Sequence, residues 1–233
     1  MERIRRSDPE ALLCRIPIIL EGQTEIGVLR PILERKATEF DTTLGALGIR
    51  LVDGGGQPKV FGITDELVSV GERFGAFLDD EVEHKGRRAS LAASDNVAFG
   101  TYTGARCLEE ALSKQLSIED LDLLIVAPDT TGREHAESRY HQLNDGLGAQ
   151  SRKTLAELAG DLDEERCRTV FSEVANKRGW FKTPQTSALV GEYLCDKHAD
   201  IQIVRDAENL WTSVIDLASP GVLLGDRVDE HGA

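Results

Sequence analysis

No CxxC pair occurs anywhere in this 233-residue chain. Its four cysteines, Cys14, Cys107, Cys167 and Cys195, lie far apart, which excludes a zinc ribbon and a disulfide framework and leaves buried free thiols as the expectation. Cys195 and His198 have ligand-like spacing, but no second pair completes a tetrahedral zinc site. Long apolar runs are also missing. Nothing approaches the run of about 20 residues that a membrane-spanning helix needs, and the segment Met1 to Pro9 lacks the apolar centre of a secretory signal. The expectation is a cytoplasmic chain without membrane contact. The nucleotide-binding pattern GxxxxGK[ST] is absent, and positive charge is scarce: 27 Lys and Arg stand against 41 Asp and Glu, a net charge of −14. Such a balance excludes adhesion to nucleic acid through overall charge, because phosphate binding is driven by cations that release counterions. Any nucleic-acid contact must come from local basic patches.

What is present is an ordinary globular composition, 40% hydrophobic and 29% charged, with enough length for one large domain or two small ones. The stretch from Pro17 to Glu25 is the most informative. An apolar run, Ile16 to Leu20, ends in Glu21 and Gly22 and leads into a helix-forming sequence, which predicts a buried strand delivering Glu21 to the end of a sheet. Glu25 follows four residues later, a spacing that returns it to nearly the same face on the first turns of a helix. A second run, Phe74 to Leu78, also ends in acids: Asp79, Asp80 and Glu81. Carboxylates brought together at the ends of parallel strands are tolerable when a divalent cation neutralises them.

Between these motifs the pattern alternates. Thr24 to Glu39 reads as a helix, with a kink or break expected near Arg30 because Pro31 lies inside it. Gly48 to Asp53 reads as a second strand, and Lys59 to Arg73 as a helix. Gly54-Gly55-Gly56 reads as a turn requiring positive φ, with a phosphate cradle as the alternative. Gly75 to Leu78 is the third strand, and Asn96 to Tyr102 a fourth, before a helix from Leu108 to Leu116. Strand and helix in alternation imply a parallel sheet with right-handed crossovers. His84 to Ser94 reads as a mobile loop whose Lys85, Arg87 and Arg88 make a local basic patch suited to nucleic-acid contact. Residues 117–176 read as an added helical subdomain. Thr183-Pro184 caps a helix to Lys197, Ile201 to Val204 reads as extended, and Asn209 to Leu217 as a last helix.

The glutamate after the first strand and the acidic triplet after a later one resemble the Toprim domain of topoisomerases, primases and several nucleases. With Glu21-Gly22-Gln23-Thr24-Glu25, the segment Cys107 to Leu112 and the basic, aromatic stretch Lys177 to Lys182, the order of motifs resembles the C-terminal nuclease half of the OLD (overcoming lysogenization defect) family, over most of the chain from Arg15. Glu81 stands where most Toprim domains have Asp. The resemblance implies an α/β fold: a Toprim-like parallel sheet flanked by helices over 15–116, a connecting segment over 1–14, the helical subdomain over 117–176, and a basic loop with C-terminal helices over 177–224 before a tail, 225–233. It implies a metal-dependent DNA endonuclease using two Mg²⁺ or Mn²⁺ ions, with Ca²⁺ able to occupy the same site. Glu21, Glu25, Asp79 and Glu81 would be the principal ligands, Glu109 the next and Asp80 a spare. Without the resemblance, Glu109 and Glu110 equally suit the positive end of a helix dipole. Lys177 and Lys182 are both candidates for stabilising charge on phosphate, with Arg178 beside them for DNA. An ABC-type ATPase half, in the same full-length chain or as a separate subunit, a homodimer and a role in phage defence are implied in the same way.

Two other readings stand beside it. Asp79 could be the nucleophile of an aspartyl-phosphate phosphohydrolase, which leaves Glu21 and Glu25 without a task. Alternatively the chain is a Toprim fold used as a non-catalytic docking or assembly module, which the acidic net charge favours.

Overall fold

The structure, a computed structural model, describes residues 2–80, 82–126, 133–149 and 153–218. Glu81, among the candidate ligands, and the tail 225–233 lie outside the described residues.

A short helix α1 (Glu2–Ser7) and a 3₁₀ turn (Pro9–Leu12) precede β1 (Ile16–Leu20). Alternation follows: α2 (Gln23–Thr38), β2 (Ile49–Asp53), α3 (Gln57–Ser69), β3 (Phe74–Phe77), α4 (Lys85–Ala92), β4 (Val97–Gly100) and α5 (Leu108–Gln115). The strands form one parallel sheet in the order β2-β1-β3-β4, so the α/β architecture expected from the sequence is present.

Side-chain alternation divides the sheet's two faces. Ile16, Ile18, Leu20 and Phe77 pack with α2, α5 and the C-terminal helices, whereas Ile19, Phe74, Ala76 and Leu78 pack with Ile4 of α1, Leu91 of α4, and Val60, Phe61 and Leu67 of α3. Helices therefore cover both faces, which is why β1 is buried at every residue.

The remaining chain is helical: α6 (Ile118–Val126), α7 (Arg133–Leu147), α8 (Leu155–Asp161), α9 (Glu164–Arg178), α10 (Pro184–Lys197) and α11 (Gln202–Ala218). Their apolar residues, among them Leu121, Leu143, Leu158 and Phe171, belong to the same hydrophobic cluster as Ile18 and Leu20. Asp122 braces this region by accepting the amides of Leu155 and Ala156 at 2.8 and 2.9 Å, capping α8.

Three local expectations are corrected. Helix α2 is continuous from Gln23 to Thr38, so there is no break at Pro31; α10 lies against it so closely that Gly191 approaches the Val28 carbonyl and the Pro31 ring. Residues 84–94 form mainly the helix α4, not a loop. Ile201 to Val204 is not extended: Ile203 and Val204 open α11, where Ile203, Ala207, Leu210 and Val214 make one buried stripe and the Ile203 amide is satisfied by Gln115 Oε1 at 3.0 Å. The β-branched triplet hid that helical period.

Candidate active site

Chain direction selects the site. From β1 the chain crosses to β2 on one side, and from β3 it crosses to β4 on the other. The carboxyl ends of β1 and β3, which are paired Leu20 to Phe77, therefore form a topological switch point, where open α/β sheets leave a crevice for ligands. Glu21 follows one of these strand ends, and Asp79 the other.

The backbone holds both acids in place. Gly54 donates its amide to Leu20 O, and Gly56 its amide to Glu21 O, both at 2.8 Å, while Gly55 N–H goes to Asp53 Oδ1 at 2.8 Å. All three amides of the glycine turn are thus used internally, so it braces Glu21 and does not cradle a phosphate. Gly55 and Gly56 have φ of 71° and 91°, which accounts for glycine there. Glu21 Oε2 in turn accepts the Asp79 amide at 3.2 Å.

Beneath these two acids lie two buried ones. Glu25 is 6% exposed and Glu109 3%. Glu25, in the first turn of α2, accepts the Gly22 amide at 3.0 Å, one half of a capping box. Burial, with the charges of Glu21 and Glu109 adding to it, raises its carboxyl to about 7. Glu109 is in the first turn of α5, and its Oε1 has no hydrogen-bond partner among the described residues. Tyr102 is fully buried, with its hydroxyl also unpartnered there. Burial and the charges of Glu25, Asp79 and Glu109 hold its phenol well above the ordinary range. Burial, with Glu109 and Asp79 adding, pushes the Cys107 thiol up to about 12. The loop carrying these groups is tied to α11 through Asp206, which accepts Thr103 N–H at 2.8 Å and Thr103 Oγ1–H at 2.7 Å.

An open pocket of about 730 Å³ lies over the acids, lined by Glu21, Asp79, Cys107, Asn176, Lys177 and Lys182 together with Glu83, Arg106, Ser172 and Glu173. Lys177 and Lys182 reach it because α9 ends at Gly179, which is left-handed with φ 65° and ψ 40°. The following Trp180 and Phe181 are buried against Phe171, at ring separations of 5.8 and 6.5 Å, and Trp180 Nε1 donates to Gln142 at 3.0 Å. Anchored aromatics between the two lysines keep both at the rim.

The structure therefore brings together Glu21, Glu25, Asp79, Glu109, Lys177 and Lys182 from the sequence-derived set. Others lie apart. Asp80 is half exposed and bonded to Arg88 at 2.6 Å, and Arg88 is buried in that pair, which removes it from the solvent-facing cations. Arg87 pairs with Asp65 and sits 4.6 Å from the Phe61 ring centroid. Lys85 is exposed on α4, and Arg178 is exposed at the end of α9. Tyr102, Arg106 and Asn176 were not among the sequence-derived candidates, and Cys107 entered only as a free thiol and as the start of the segment Cys107 to Leu112. Asn176 adjoins Lys177 in sequence, the nearest signal to it. Among the cysteines, Cys167 and Cys195 are buried and Cys14 and Cys107 half buried. His198 turns to Asp120 at 3.2 Å.

Among the described residues, no three His, Cys, Asp or Glu side chains form a ready-made metal cage. The acids are neighbours, not a closed ligand set. Their chemistry nonetheless fits a hard divalent cation: all are oxygen donors, they crowd like charges, and the unpartnered Glu109 Oε1 has room for one more interaction. Comparison of the chain with protein-family models, curated proteins and solved structures returns no match. Among the described residues, no helix is long and apolar enough to cross a membrane.

Proposed function

We propose that this chain is a divalent-metal-dependent endonuclease acting on DNA, related to the Toprim catalytic region of the OLD family. The observation that carries this reading is the meeting of Glu21 and Asp79 at the switch point, under one pocket that Lys177 and Lys182 also line. A site with acids on its floor and ammonium groups on its rim suits a phosphodiester held between them.

In this reading Glu21 and Asp79 hold Mg²⁺ or Mn²⁺ at the pocket face, with Glu25 and Glu109 beneath them. A bound divalent ion lowers the pKa of a coordinated water and neutralises charge on phosphate. The chain's own residues do the rest. The bond from the Asp79 amide to Glu21 holds the two strand-end carboxylates in register. Lys177 and Lys182 present positive charge to the non-bridging oxygens, offsetting the repulsion that a net charge of −14 imposes on DNA. Tyr102, Leu108 and Phe77 are buried, with the Tyr102 ring edge-on to Phe77 at 4.9 Å. An ATPase half and assembly as a homodimer belong to the same proposal.

The test is nicking of supercoiled plasmid by the purified chain in Mg²⁺, Mn²⁺, Ca²⁺ or EDTA, with Glu25→Ala alongside. Nicking in Mg²⁺ or Mn²⁺ that EDTA and the variant abolish is the expected result. A wild-type chain that binds neither metal and cuts no DNA overturns the reading in favour of a docking module.

A further inference from the structure

Two contacts cross the pocket wall from one lysine. Lys182 Nζ donates to Asn176 Oδ1 at 3.2 Å, and Asn176 Nδ2 donates to Cys107 Sγ at 3.7 Å. The donors run one way: ammonium to amide oxygen, amide N–H to sulfur. An asparagine placed so has one orientation only, because its oxygen faces a cation and its nitrogen an acceptor. Among the described residues Lys177 has no hydrogen-bonded bridge of this kind, yet it neighbours Asn176 in sequence and lines the same pocket.

We propose that Asn176, held by Cys107, is a positioning residue that fixes Lys182 as the lysine facing the phosphate and ties it to the Cys107 wall of the pocket. This rests on the nuclease reading. A flexible lysine spends most of its time away from any one point, so an oriented acceptor beside its ammonium raises the fraction of molecules in which the charge is in place. Cys107 contributes by its shape and by accepting the Asn176 amide, not by nucleophilic attack. Serine, which also accepts, should replace it.

Two measurements separate this bridge from the nuclease reading itself. In the first, Asn176→Ala lowers kcat for plasmid nicking about tenfold, with KM changed less than about twofold, as expected for an outer partner that orients a functional group. Cys107→Ala matches it, Cys107→Ser stays within about threefold of wild type, and the double alanine variant is no worse than either single one. In the second, which needs no activity, the Asn176 side-chain amide resonances, identified by their loss in Asn176→Asp, shift in both Cys107→Ala and Lys182→Ala. Amide resonances that move in neither variant overturn the bridge, as does an Asn176→Ala variant that nicks at the wild-type kcat. A wild-type chain that does not nick, with the amide shifts present, counts against the nuclease reading and supports the bridge.

Discussion

Glu21 Oε2 accepts the backbone amide of Asp79 at 3.2 Å, across 58 residues of sequence. The contact joins the ends of the two strands at which the sheet reverses its winding. Because the donor is the main-chain N–H of residue 79, the link survives removal of the Asp79 carboxylate, and the two roles of this residue can be separated.

Asp79→Ala should therefore lose nicking activity by at least about 100-fold, the scale on which loss of a metal-site group acts, while its thermal unfolding stays close to that of wild type. Circular dichroism melting beside the plasmid assay checks both. Retained cleavage in Mg²⁺ would sink the assignment of Asp79 as a ligand.

Glu25→Gln should stabilise the chain in EDTA. Burial, reinforced by Glu21 and Glu109, raises the Glu25 carboxyl from 4.5 to about 7, so the folded state holds a proton that the unfolded state releases between those values. Stability falls as pH rises through that window. The gain from glutamine, on the order of 2 kcal/mol at pH 8, shrinks towards pH 4.5. Added Mg²⁺ should raise the melting temperature of wild type and leave the variant where it was.

Glu110 titrates in the opposite sense. Burial would raise its carboxyl, but hydrogen bonds from Lys114 and Arg106 override that and hold it down at about 2. The stabilisation it provides is complete above pH 4.5 and is lost as pH falls towards 2. Glu110→Gln should melt lower than wild type at pH 7 by no more than about 1 kcal/mol, the range of partly exposed ion pairs. The difference should narrow on acidification to pH 3.

Gly191→Ala should destabilise the fold by about 1 to 3 kcal/mol, as overpacking does. The added Cβ meets the Val28 carbonyl at 2.5 Å, and backbone cannot swing aside as a side chain can. Since α2 also carries Glu25, denaturant unfolding should show the loss together with a weaker metal-induced shift in melting.

Much of the sheet was legible because its signals are local. Ile16 to Leu20 and Phe74 to Leu78 are short apolar runs closed by acids, and both became central strands. The basic run Lys85 to Arg88 misled, since polar composition suggested a loop. The structure instead makes it a helix whose Arg88 is spent on Asp80. Nothing in the sequence around Asn176 or Tyr102 announces that they approach Cys107 and the acids.

The sequence by itself determined which residues end strands, because alternation of apolar and polar side chains and the glycines of the turns act over a few residues. It also placed carboxylates at those ends. Only the tertiary structure decided which of the acids meet, which are covered, and which cations stand over them. Those outcomes depend on strand order and on how α9 packs against α5, and long-range packing of that kind leaves no periodic trace in the chain.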